Sequence, residues 1–76
     1  MPRYYFHIRE GNVLMPDDEG RFFPGLPAAR NELMASLREI VSEHLLHGTD
    51  IEGRQFEIAD EAGDVLAIVP FTSLLR

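Results

Sequence analysis

The sequence predicts an α+β domain: an antiparallel sheet of about four strands with one amphipathic helix across one face, in the order β-β-α-β-β. Three observations predict it. Residues 3–9 and 54–60 alternate with period two, residues 27–47 carry helical periodicity, and glycine-bearing turns punctuate the boundaries. A chain of 76 residues has room for a single unit, residues 1–76, with no linker.

Along the first strand Tyr4, Phe6 and Ile8 fall on one side and Tyr5, His7 and Arg9 on the other, the pattern of a half-buried, aromatic-rich strand. Glu10-Gly11-Asn12 turns the chain into the short apolar run Val13-Leu14-Met15, which Pro16 ends because it lacks a backbone donor. Asp17-Asp18-Glu19-Gly20 is a second turn, and Arg21-Phe22-Phe23 adds a few extended residues before Pro24-Gly25 breaks the chain.

Between Pro27 and His47, Ala29, Leu33, Leu37, Ile40 and Val41 form one arc, widened by Leu26, Met34 and Leu45. Pro27 suits the first helical position and Gly48 the left-handed residue past the end. Leu26 is a poor cap, Arg30 opposes the dipole and Glu39 repels Glu43. Each fault costs from a few tenths to about 1 kcal/mol, so packing of the apolar arc must hold the helix. At ~31 Å against ~23 Å for the first strand, the helix overhangs the sheet by about a turn and leaves Leu45 and Leu46 available to a partner.

A loop carrying Thr49, Asp50, Glu52 and Gly53 leads into a strand over 54–60 with Phe56 and Ile58 inward, and Asp60-Glu61-Ala62-Gly63-Asp64 turns it back into residues 65–71. In that last strand Val65, Ala67 and Val69 are as apolar as Leu66 and Ile68, the pattern of a strand buried on both faces. It is therefore expected beside the first strand in the middle of the sheet. One helix covers one face, so the other, around Tyr5, His7, Val65, Ala67 and Val69, is expected to meet a second copy. A homodimer also suits a short chain, because a domain this small buries only about 60% of its unfolded surface and its lone core is marginal.

Seven arginines, no lysine and thirteen acids give a net charge of −6. No basic stripe for nucleic acid is visible, and no uncharged apolar run approaches the ~18 residues of a membrane span. Neither nucleic acid nor membrane is expected as a partner. The acid excess keeps a small domain soluble and would attract a basic protein partner. The start Met1-Pro2-Arg3-Tyr4-Tyr5 enters a strand without the pattern of a secretory leader, which points to the cytoplasm. Cysteine is absent, which removes thiol chemistry and disulfides.

His44 and His47 stand three apart with no third ligand at metal spacing, and histidines in a last helical turn complement the dipole. The acidic runs Asp17–Glu19 and Asp60–Asp64 lack the alternating oxygens and distant glutamate of a calcium loop. The glycines are single, and Ser36, Ser42 and Ser73 sit in no nucleophile elbow. No catalytic, metal or cofactor-binding set is expected. His7 beside Tyr5 could serve acid–base work or a small-molecule site, with packing along the strand as the plain alternative.

The run Pro2-Arg3-Tyr4-Tyr5-Phe6-His7-Ile8-Arg9, with Pro16-Asp17-Asp18-Glu19-Gly20, the Ala/Leu-rich helix, Asp60-Glu61-Ala62-Gly63 and Val69-Pro70-Phe71, resembles a family of small uncharacterised bacterial domains of unknown function. The resemblance implies a stand-alone domain and carries no activity over. Phe23-Pro24-Gly25-Leu26-Pro27-Ala28-Ala29 is also similar to the N-terminal domain of HicB-type antitoxins, which implies a module that masks a small basic RNA-cleaving toxin. The chain departs from that pattern after the helix, where a hairpin stands in place of a segment leading to a DNA-binding unit.

Overall fold

Residues 1–48 and 51–75 are described by a computed structural model; Thr49 and Asp50 of the expected loop lie outside the described residues. Strands β1 (Arg3–Glu10), β2 (Val13–Met15) and β3 (Arg21–Phe22) precede helix α1 (Leu26–Leu46), and β4 (Arg54–Ala59), β5 (Val65–Pro70) and a 3₁₀ turn (Phe71–Leu75) follow. The fold is α+β as expected, with five antiparallel strands rather than four. They run in the order β2-β1-β4-β5, and β3 pairs β1.

Register explains the fifth strand. Ile8 pairs Met15 and Tyr4 pairs Arg21, so four steps along β1 face six along its partner. The amide of Phe6, midway between, turns to Asp17 in the intervening loop. Because amide direction alternates along a strand, β2 and β3 lie end to end on one edge of β1, interrupted by a bulge over residues 16–20.

The last strand is not central. β4 lies between β1 and β5, and β5 is an edge. If the Phe6 amide faces β2, alternation sends the amides of Tyr5, His7 and Arg9 to β4 and those of Phe56 and Ile58 to β5. Pro70 then sits where a donor would face open solvent, so its missing N–H costs no ladder bond. An apolar pattern on both faces misled the sequence reading because it reports side-chain character, whereas the edge is set by where the proline falls.

α1 lays Ala29, Leu33, Leu37 and Val41, a repeat of four, over Tyr4, Phe23, Phe56, Ile58, Val69 and Phe71. The Phe56 and Phe71 rings stack with centroids 5.1 Å apart, Ile51 joins the same core and Leu74 packs against it. Gly25, extended and without a side-chain cap, starts the helix one residue before the expected Pro27. At the other end Gly48, at φ +71°, donates its N–H to the Leu45 carbonyl at 3.2 Å. That left-handed stop is the one anticipated.

The sidedness of β5 also needs correction. Phe56 pairs Val69 and Ile58 pairs Ala67, so Ala67 and Val69 stand beside the inward residues; Val69 is only 1% exposed. A bulge then intervenes: Ala59 pairs Val65 and leaves Leu66 as an extra residue. It breaks the alternation, so Val65 joins Leu66 and Ile68 on the outer side while Ala67 and Val69 lie under the helix. The expected outer set of Tyr5, His7, Val65, Ala67 and Val69 loses its last two members to the core and gains Leu66 and Ile68.

Adjacent substitutions on β5 should therefore diverge. Val69→Asp buries an unpaired carboxylate and is expected to abolish the cooperative urea transition, whereas Ile68→Asp, half exposed but across from Glu57, should keep the transition and lower the unfolding free energy of the isolated chain by about 1 kcal/mol. Equal loss of stability in both would refute the assignment of faces.

Candidate interaction face

The sheet face opposite α1 carries Arg3, Tyr5, His7 and Arg9 from β1, Leu14 from β2, Phe22 from β3, Gln55 and Glu57 from β4, and Ile68 and Pro70 from β5. No other element among the described residues covers it. Its middle is polar and closed. Glu57 is only 6% exposed, and its Oε2 accepts hydrogen bonds from Arg9 Nε at 2.6 Å and Gln55 Nε2 at 3.1 Å. The Arg9 bond is the main cause that holds the Glu57 carboxyl below its ordinary 4.5; Gln55 and the fields of Arg9 and His7 help to outweigh the opposing effect of burial.

Beside that pair the Tyr5 and His7 rings stack with centroids 6.2 Å apart and planes 17° apart, as side chains two apart on a strand can. The edge bulge determines what His7 does. Its Nδ1 accepts the Asp17 N–H at 2.9 Å, which places the proton of the neutral ring on Nε2. The Asp17 carboxylate in turn accepts Phe6 N–H on Oδ2 at 3.1 Å, and Glu19 and Gly20 N–H on Oδ1 at 3.1 and 3.2 Å. Burial pushes the Asp17 carboxyl up, but the amides of Phe6, Gly20 and Glu19 and the field of His7 prevail and hold it below its ordinary 3.8.

Gly20 completes the turn at φ +68°, and a Cβ there would lie 2.8 Å from Tyr5 Cε2 and 2.9 Å from Arg3 Cγ. Only glycine combines that backbone angle with that approach. Pro16-Asp17-Asp18-Glu19-Gly20 is thus a splice that lets a broken edge strand keep its hold on β1.

Tyr5 and His7 form the floor of an open cleft of about 300 Å³, rimmed by Pro16, Asp17 and Asp18 on one side and Asp60, Glu61 and Gly63 on the other. The two acidic turns, read separately in the sequence, meet here. Asp17 and Asp60 are engaged within their turns, Asp60 Oδ1 accepting N–H from Ala62 and Asp64 at 3.0 Å each. A hollow of about 410 Å³ at the end of α1 is lined by Ile40, Glu43, His44 and His47. Among the described residues no group of three or more histidine, aspartate or glutamate side chains is arranged to hold a metal ion.

The remaining candidates separate. Leu45 and Leu46 are exposed in the last turn of α1, in the helix layer and away from the outer face, and Val65 lies at the turn end of β5. Phe22 was read only as a few extended residues, yet it reaches the outer face with the Arg3 guanidinium 4.5 Å above its ring. Leu14 and Arg9–Glu57 were missed as a group because only the register brings them together. No helix among the described residues is long and apolar enough to cross a membrane.

Stability in urea and in acid should report this geometry. Asp17→Asn keeps an acceptor at one oxygen and replaces the other by a donor, which leaves one amide bond unmade; a loss of about 1–3 kcal/mol is expected in urea titration. Gly20→Ala should cost at least as much through strain at positive φ and contact with Tyr5. For acid, both depressed carboxyls contribute fully above their ordinary values of 3.8 and 4.5 and lose the contribution as pH falls through the lowered folded-state values. Below about pH 5 the urea midpoint should fall, less steeply in Asp17→Asn and Glu57→Gln. An unchanged acid slope in both variants would contradict the assignment.

No curated protein and no solved structure matches the chain, and no similarity to HicB-type antitoxins is found. A family model described as a domain of unknown function, DUF6894, matches residues 3–72, which takes in every strand, the helix, the Asp17 splice and both acidic turns. The chain belongs to that family, DUF6894, a domain of unknown function.

Proposed function

We propose that this domain is a non-enzymatic protein module that self-associates, as a homodimer, through the sheet face opposite the helix. The observation that carries the reading is Ile68, 53% exposed on that face with Leu66 and Val65 beside it on the same strand, while the neighbouring Val69 is sealed in the core. A face of this kind gains by being covered, since full burial of such a side chain stabilises by about 1.5–3 kcal/mol and Ile68, half exposed, has about half of that to gain. Most of the groups suited to acid–base work are engaged by the fold: His7 Nδ1 by the Asp17 amide, Asp17 by three amides, and Glu57 by Arg9 and Gln55. Its setting in this reading is the bacterial cytoplasm, in line with the resemblance of residues 2–71 to small bacterial domains.

Light scattering on the purified chain is expected to give twice 8.6 kDa at high concentration, and Ile68→Asp to give the single mass with an unchanged circular dichroism spectrum. A folded Ile68→Asp chain of undiminished mass would remove this face from the reading. Association should persist in high salt, because apolar burial is not screened; assembly only at low salt with a basic protein would favour the acidic turns as the docking element instead.

A further inference from the structure

We propose that the two copies stack their outer faces about a two-fold axis parallel to the strands, so that β5 of each lies across β2 and β3 of the other. This rests on the reading that the chain self-associates through that face. The exposed apolar side chains form two strips on opposite edges: Leu66 and Ile68 on β5, and Leu14 and Phe22 on the β2–β3 edge. Between them lies the closed polar middle.

An axis along the strands exchanges the two edges. Ile68 pairs Glu57, which pairs His7, and His7 lies one step beyond the Ile8–Met15 pair. Ile68 of one copy therefore falls level with Pro16 of the other, in the gap between Leu14 and Phe22. Glu57 faces His7, and Arg9 faces Gln55. Arg3 lies beyond the Tyr5–Ala59 pair, at the end of the sheet where the turn 60–64 follows β4, so each Arg3 comes to the acidic turn of the other copy. An axis across the strands, centred on β1 at Phe6, would instead set Arg9 over Arg3 and bring like charges together. Charge therefore selects the orientation.

The occupant is a second copy because this face is not acidic although the chain carries −6: its one carboxylate, Glu57, is neutralised by Arg9, and the turn acids sit at its end, where Arg3 of the other copy arrives. Four strands about 4.8 Å apart, over six to eight residues of about 3.3 Å, offer a modest face. The dimer belongs at the small end of specific interfaces, with association that varies with concentration. Aligned sheet packing skews the two copies by about 30° without changing which edges meet.

Since the full chain contains no cysteine, single-cysteine variants give a clean test. Each is first checked for native circular dichroism and wild-type mass. With a short bismaleimide cross-linker, a mixture of Leu14→Cys and Ile68→Cys chains should yield a covalent heterodimer, whereas Ile68→Cys alone should not, because its two thiols stand on opposite edges. Arg3→Glu should weaken the dimer about tenfold, and Glu61→Arg in the same chain should restore it. Cross-linking of Ile68→Cys or Leu66→Cys with itself, or a dimer that none of the pairs traps, would overturn the orientation while leaving self-association intact. A chain that stays monomeric at every concentration would overturn both.

Discussion

One helix can dry one face of a sheet, and most of this structure follows from that constraint. The inner face is closed by the four-residue repeat Ala29-Leu33-Leu37-Val41 lying on Phe56, Ile58 and Val69. The outer face has no second layer, so the chain handles it piecemeal. Its middle is sealed by an ion pair whose carboxylate accepts from Arg9 and Gln55, and the arginine stem covers sheet surface while its charge is matched. Toward the edges apolar side chains stand exposed, and there the single layer is unfinished.

The edges themselves are handled by interruption. A continuous flat edge strand is a template for indiscriminate pairing, and both edges here are broken: one by the splice over residues 16–20, the other by the bulge at Ala59 and by Pro70. Each break also redirects side chains. The first brings Asp17 to His7, and the second turns Val65 outward while Ala67 and Val69 stay beneath the helix. Association through strand addition is therefore disfavoured at both edges.

Elements were legible in the sequence where a single physical period governs them. The helix, its glycine stop, the first strand and the inward pair Phe56 and Ile58 all follow from periodicity and turn chemistry. Strand order and the sidedness of β5 do not, because a bulge shifts the period by one residue without leaving a mark in hydrophobicity. Pro70 was the available signal for an edge strand, outweighed by the apolar run before it. The candidate face was half legible: Tyr5 and His7 were placed on it, while Leu14, Phe22 and the Arg9–Glu57 pair depend on cross-strand register, which a sequence pattern does not contain.

The acidic turn at 17–20 shows why composition alone misleads about chemistry. Read as a charge run, Asp17-Asp18-Glu19 suggests a cation site or a solvated reversal. In the fold Asp17 replaces the main-chain carbonyl that a continuous edge strand would offer Phe6, and it holds two further amides of the turn on its other oxygen. Three donors on two oxygens require a carboxylate: an amide side chain has one acceptor atom, and a longer acid would spread the same contacts over an extra rotatable bond. His7 then accepts the amide of Asp17 itself, so the ring, the acid and the strand amide form one closed chain of hydrogen bonds. The residue types that invite a catalytic reading are here the means by which a short sheet survives a break in its edge.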